Sequence, residues 1–303
     1  MKRTCPQLSC LNVFPSPDLK RYGRFYRKSD SQWIRRYRCT RCGSTFSGAT
    51  GSATFGQNKR RINDRLRVLL CSGVSQRRSA LILKVHRKTV VRKFRFLAEQ
   101  ARLRQRRFLM DYGELDSIQF DDLETSEHSK CKPLSVTLAV DAEQRTILGF
   151  KVSVMPAKGH LAALARKKYG FRPDKRPQGI RALLSTIRPN VRATAEIRSD
   201  RNPLYPGIVR SLYPKVVHHT VKGRRGCVAG QGELKKIGFD PLFSLNHTCA
   251  MLRANVNRLF RRTWCTTKKL VELENHLAIY MDFHNRTLLT KPLSIMHANL
   301  AAA

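Results

Sequence analysis

The stretch LDSIQFDDLETSEH, residues 115–128, decides how the larger part of the chain is to be read. Ile118 and Phe120 alternate with polar neighbours, the period of a half-buried strand, and the apolar run stops at Asp121. Asp121, Asp122, Glu124 and Glu127 then crowd together, although the chain holds only 21 Asp and Glu against 59 Lys and Arg. Crowded carboxylates repel one another and resist full ionisation unless a cation sits among them. The cluster is therefore either a solvated turn or a metal site.

Working outward, PLSVTLAV (133–140) and TILGFKVSVM (146–155) read as two further strands joined by the turn DAEQR, which makes an antiparallel meander. A helix follows at 180–187, a strand at 194–200 that ends on Asp200, a helix at 206–214 and a strand at 215–221. Two long helical segments run through 244–262 and 266–284. Three antiparallel strands followed by strand–helix–strand is the order of an α/β, RNase-H-like mixed-sheet domain, expected over 112–290 with a tail at 291–303. In such a sheet the first and fourth strands are neighbours, so Asp121 and Asp200 are expected to meet. Two carboxylates on rigid strands suit Mg²⁺ or Mn²⁺ ions bridging a phosphate, which make a water or 3′-hydroxyl nucleophilic and stabilise the leaving oxygen.

The net charge of +38 and pI near 10.9 point to a polyanionic partner, with nucleic acid first. Residues 1–110 carry 28 Lys and Arg against 4 Asp and Glu, which marks the first third as the main polyanion binder. No apolar run reaches the roughly 18–20 residues of a membrane span, and no signal peptide is legible, so a membrane role is not expected and a cytoplasmic, nucleoid-associated location is. In that compartment the nine cysteines are thiols or metal ligands.

Cys5 and Cys10, then Cys39 and Cys42, have the pairing of a tetrahedral Zn²⁺ ribbon over residues 1–50, and Gly43 eases the C-x2-C turn. Between the pairs, RYGRFYRKSDSQWIRRYRC alternates aromatic and basic residues. It reads as a β-hairpin that exposes cations to phosphates, or as the aromatic core of a small metal-held domain. Cys71, Cys131, Cys227, Cys249 and Cys265 lack such spacing and read as small core residues. A Gly- and Ser-rich linker at 48–59 leads into residues 58–108, where Ile62, Leu66, Leu69 and Leu70 share a helix stopped at Gly73. Ser75 caps a second helix, and Val90, Val91, Phe94 and Leu97 mark a third. That is a helix-turn-helix, with Arg87, Lys88, Arg92 and Lys93 expected on its DNA-facing side.

Together the zinc ribbon, SGVSQRRSALILKVHRKTVVR (72–92), the acids after the first strand, RSDRNPLYP (198–206) and LRANVNRLFRRTWCTTKK (252–269) resemble a bacterial insertion-sequence transposase. Within the DDE superfamily the likeness is to the insertion-sequence-one-like branch, and it spans nearly the whole chain. It implies binding of terminal inverted repeats, DNA cleavage and strand transfer, with double-stranded element ends and target DNA as partners and a homodimer or larger assembly on DNA. The third catalytic residue of that family is a Glu; counting back from Leu252–Arg253, its position here holds Asn246. Asn offers a carbonyl oxygen but no charge. Glu233, 33 residues past Asp200, is the alternative third residue. The Gly-rich, basic TVKGRRGCVAGQGELKK (220–236), with Arg224 and Arg225, is expected to wrap a phosphate backbone, and Arg258, Arg261 and Arg262 to continue a basic face along the following helix. His218 and His219 are adjacent on a strand and should face opposite ways. The competing reading is a non-catalytic DNA-binding protein that kept the fold after losing its third acid. A zinc-ribbon nuclease acting on RNA fits less well, because a helix-turn-helix suits a duplex major groove.

Overall fold

A computed structural model of the chain describes residues 3–7, 9–10, 13–14, 17–28, 31–222, 240–260 and 262–289. The chain divides into two compact units, Met1–Leu66 and Arg67–Ala303.

In the first unit β1 (Arg3–Thr4) pairs antiparallel with β2 (Val13–Phe14). The expected hairpin forms as β3 (Leu19–Arg27) and β4 (Gln32–Cys39), and β5 (Thr45–Ser47) adds a third antiparallel strand along Arg36–Arg38. In the three-stranded sheet burial is confined to one end, where Leu19, Tyr37, Cys39 and Phe46 form a small core with Cys5, and Cys10 packs against it. Gly43 closes the turn between the second pair of cysteines at φ +73°, donating its N–H to the Cys39 carbonyl at 2.8 Å.

Helix α1 (Ile62–Leu70) straddles the boundary between units, and α2 (Gln76–Ile82) and α3 (Arg87–Asp111) follow. The capping signals act as expected: Gly73 adopts φ +74° after α1, and the Ser75 hydroxyl accepts the Arg78 N–H at 3.3 Å. At 25 residues α3 is longer than the helix-turn-helix pattern required. Its second half is anchored inside the second unit, where Gln105 donates to the Leu148 carbonyl at 3.0 Å and Arg104 grips Asp282 with two 2.8 Å bonds.

Strands β6 (Leu115–Ser126), β7 (Pro133–Asp141) and β8 (Ile147–Val154) form the antiparallel meander. Then come α4 (Leu161–Tyr169), α5 (Arg176–Ile187), β9 (Val191–Asp200), α6 (Tyr205–Leu212), β10 (Val217–Val221), α7 (Phe243–Asn255) and α8 (Leu270–Phe283). The five strands lie in the order β10-β9-β6-β7-β8, with β9 parallel to both β6 and β10. Together with the eight helices of the described residues this is a mixed α/β architecture, and the strand order is consistent with an RNase-H-like sheet. One face of the sheet carries Ile118, Phe120, Ala139, Leu148 and Ile197 into a core closed by Ile180, Leu183, Leu184 and Ile187 of α5 and by Tyr205, Ile208 and Val209 of α6. β7, covered on both sides, is buried along almost its whole length, which explains its nearly unbroken apolar sequence.

The structure corrects three local expectations. β6 does not end at Asp121: it pairs with β7 as far as Ser126 opposite Pro133, so Asp121, Asp122 and Glu124 lie along a strand, and only Glu127 stands at the turn. The partner strand extends the ladder past the apolar run, a non-local contact with no local signature. α7 stops at Asn255 instead of reaching residue 262, because Val256 turns extended at φ −95°, ψ 102° and a short 3-10 turn follows at Asn257–Leu259. Helix α4, in which only Ala165 is buried, was not anticipated; it ends on Gly170 at φ +72°.

Candidate active site and metal-binding cluster

β6 and β9 bring the two aspartates together. Their parallel register runs Ile118 opposite Ile197 and Gln119 opposite Arg198; continued by two residues, it sets Asp121 opposite Asp200. Both line a cleft of about 630 Å³ with Asp122, Glu124, Lys158, Arg176, Arg201, Asn202, Leu204 and Lys222 among its walls.

Burial pushes the Asp121 carboxyl up to about 6, and the Asp200 carboxylate pushes in the same direction. The Asp122 N–H at 2.7 Å and the Tyr205 hydroxyl at 3.0 Å donate to Asp121 Oδ1 and work against that rise. Asp122, the next residue of the strand, accepts the Thr137 hydroxyl at 2.6 Å. Burial raises its carboxyl as well. The Tyr205 hydroxyl, raised by burial and by the charges of Asp122, Asp121 and Asp200, stays protonated and available to donate. Asp200 Oδ1 accepts the Asn202 N–H at 2.9 Å, which fixes the chain as it leaves β9.

Helix α7 crosses the face of β6 that carries Asp121. Gln119 pins its start, accepting the Leu245 N–H and donating to the Pro241 carbonyl, both at 3.0 Å. One turn further along, burial raises the Cys249 thiol to about 12 with help from the Asp121 charge. Asn246 is exposed and donates to Asp240 Oδ2 at 2.9 Å; it is not among the residues lining the cleft. Glu233, Arg224, Arg225 and Arg261 lie outside the described residues, as does Cys227.

Of the cations singled out in the sequence, Arg87, Lys88 and Arg92 are exposed on the first turns of α3. Lys93 is not: it is buried beside Phe94, because positions 90, 93, 94, 97 and 101 share the inward face of the helix. Arg258 is also largely enclosed, its guanidinium 5.7 Å from the Phe94 ring centre and lowered by burial. It lies past the end of α7, so no continuous basic helix face runs through it. Arg262 is exposed, 6.0 Å from the Trp264 ring. His218 bonds Ser199 at 2.9 Å while His219 is exposed, opposite one another as the strand period requires. Tyr205 and Cys249 carry no sequence signal for a place beside Asp121; Tyr205 lies within RSDRNPLYP, but only the packing of α6 under β6 brings its hydroxyl there.

In the first unit the Sγ atoms of Cys5, Cys10, Cys39 and Cys42 all lie within 4.8 Å of one another, with Cys5–Cys42 at 3.4 Å and Cys10–Cys39 at 3.5 Å. Four thiolates around a zinc at about 2.3 Å stand about 3.8 Å apart, so the quartet fits and could bind a metal such as zinc. Hydrogen bonds from Ser44 lower the Cys42 thiol to about 6, which favours the thiolate.

No protein-family model matches the chain, and no curated protein does. Among solved structures, the crystal structure of a pre-cleavage Mos1 transpososome is similar over 76% of this chain and 79% of that one, at 10% identity and a TM-score of 0.20. A likeness at that score distinguishes neither fold nor chemistry. Among the described residues no helix is long and apolar enough to cross a membrane.

Proposed function

We propose that the chain is a DNA transposase resembling the insertion-sequence-one-like branch, with an RNase-H-like catalytic domain over 112–290, a zinc ribbon over 1–50 and a helix-turn-helix over 58–108. In this reading the first third binds the inverted repeats of its element, and the later domain cleaves those ends and transfers them to target DNA inside the cell. The observation that carries it is the presence of Asp121 and Asp200, borne on neighbouring parallel strands, in the lining of one cleft that also holds Lys158, Arg201 and Lys222.

The donor set fits Mg²⁺ or Mn²⁺: hard carboxylate oxygens, one of them raised by burial and by the neighbouring Asp200 charge, which a cation would offset. Asp121 and Asp200 would hold the metal, with Asn246 or Glu233 as the third residue. When bound, the ions make a water or 3′-hydroxyl nucleophilic and offset charge on the leaving oxygen. Asp121 would hold the metal as its carboxylate, with Tyr205 keeping one carboxylate oxygen oriented and the lysines and arginines of the walls drawing in the phosphate backbone. Arg87, Lys88 and Arg92 would contact the element ends; two copies of the chain are required to bring two ends together.

A second reading, a DNA-binding protein without catalysis, draws on the exposed, Asp240-bound position of Asn246. The full chain with DNA bearing its element ends decides between them. Mg²⁺- or Mn²⁺-dependent cleavage and joining, lost in Asp121→Ala and Asp200→Ala proteins that still retard the DNA, supports the transposase. Retardation by the wild-type chain with no cleavage under either metal overturns it.

A further inference from the structure

The β3–β4 hairpin carries five aromatic residues, Tyr22, Phe25, Tyr26, Trp33 and Tyr37, and only Tyr37 is used in the core of its unit. The other four are 46%, 39%, 47% and 67% exposed. Single exposed aromatics are ordinary; four on one short ribbon are not. Metal-end packing accounts for their exposure. Among the described residues no third strand pairs with β4 beyond Arg36, and the distal half of the hairpin is largely exposed.

The rings are arranged among cations. Tyr26 and Trp33 face each other across the strands with centroids 5.5 Å apart. Tyr22 lies where the register shifts at Gly23, and the guanidinium groups of Arg36 and Arg38 sit 5.4 and 5.6 Å from its centre. Residues 19–41 hold nine Lys and Arg and a single acid, Asp30. Such a surface repels a second copy of this +38 chain. It also differs from the core of a protein interface, where charge is depleted. Phosphates alone would need the cations but not the rings, and a base-paired duplex buries the faces of its bases. Unpaired bases expose those faces, and rings set among cations are how single strands are held without sequence preference.

We infer that the distal half of this hairpin is a stacking platform for unpaired bases of single-stranded DNA, built on the Tyr26–Trp33 pair of one face, while Phe25, opposite Ile34, and Tyr22, beside Arg36 and Arg38, lie on the other face. This shares with the proposed function only the premise of a nucleic-acid partner; neither the aspartates nor catalysis enters it.

The test uses the full chain without divalent metal, binding a labelled oligo-dT strand and a mixed-sequence duplex over a range of salt. Tyr26→Ala with Trp33→Ala should weaken the single strand about tenfold or more. Duplex binding should change by less than about twofold, with the salt slope unaltered because no charge is removed. Tyr26→Phe with Trp33→Phe should keep most of the affinity. In Trp264→Phe protein Trp33 is the sole tryptophan, and its emission should be quenched by saturating oligo-dT; this arm needs no change in the hairpin. Unquenched emission, or equal losses on strand and duplex, overturns the inference. So does a double Ala variant that loses self-association yet binds the strand normally, since the rings then serve a protein contact. Binding to duplex alone sinks the platform and leaves the proposed function standing; binding to neither form sinks both.

Discussion

Tyr205 donates its hydroxyl to Asp121 across 3.0 Å, from the first turn of α6 to the middle of β6. The same ring packs against Phe120 at 4.7 Å and is fully buried, so the core of the domain and the orientation of one carboxylate are fastened by a single side chain. Tyr205→Phe keeps the ring and removes the donor. It should cost about 0.5–1.5 kcal/mol or less in urea denaturation, because a neighbouring carboxylate raised by burial loses a bond and little packing. Metal-dependent cleavage should fall while DNA retardation is unchanged; equal loss of both would argue against an orienting role.

Asp121→Asn should stabilise the chain at neutral pH. The Asp121 carboxyl stands at about 6 against an ordinary 3.8, so the folded state holds its proton more tightly than the unfolded state. Its contribution is fully present below about pH 4 and is lost as pH rises through about 6. Asn keeps the oxygen that accepts from Asp122 and Tyr205 while avoiding the charge, a gain of about 1–3 kcal/mol at pH 7 that vanishes by about pH 4. Thermal melts across that range, in the absence of divalent metal, measure it. A variant less stable than wild type at pH 7 would contradict the assigned direction.

Removing metal should affect the first unit selectively. Its core is built from the cysteines and three other side chains, too little apolar area to hold three strands without a staple. A strong chelator, or Cys39→Ser, should abolish the ordered β3–β4–β5 signals in NMR spectra while those of β6–β10 persist. Elemental analysis should find about one zinc per chain before treatment. Retention of the hairpin signals in metal-free protein would refute the dependence.

Gly179→Ala should be among the more damaging single changes in α5. A Cβ there would collide with the Ser153 hydroxyl and come within 3.4 Å of Lys151 and of the Ser153 Cβ, so Ser153 must turn aside or the helix must shift from β8. Overpacking of this kind costs about 1–3 kcal/mol, to be read from the urea midpoint. Gly207→Ala, where a Cβ meets nothing within 4 Å, is the matched control and should be near neutral.

Asp282 ties α8 to α3. Its side chain is 2% exposed and takes both bonds from Arg104, with Arg286 at 3.7 Å. Asp282 is enclosed but Arg104 is about a third exposed and can be rehydrated, so Asp282→Ala should cost about 1.5–3 kcal/mol in equilibrium unfolding. Replacing Arg104 and Asp282 together by Met and Leu should recover most of that loss; failure to do so would show that the pair is not the source of the cost.

Much of this protein was legible in local pattern. The period-two runs at 133–140 and 146–155, the cysteine spacing and the Gly73 and Ser75 signals each correspond to the element expected of them, because they report constraints that a few adjacent residues impose. The side-by-side placement of the first and fourth strands also followed from element order. What only the tertiary structure decided depends on residues far apart in the chain. β6 runs on past Asp121 because β7 pairs with it, Lys93 is enclosed because the inward face of α3 is wider than its apolar positions, and Tyr205 reaches Asp121 because α6 packs beneath β6. Sequence period reports which way a side chain leaves its own element. Its neighbours, and hence its charge state, are set by the elements that pack against it, and no stretch of sequence contains both.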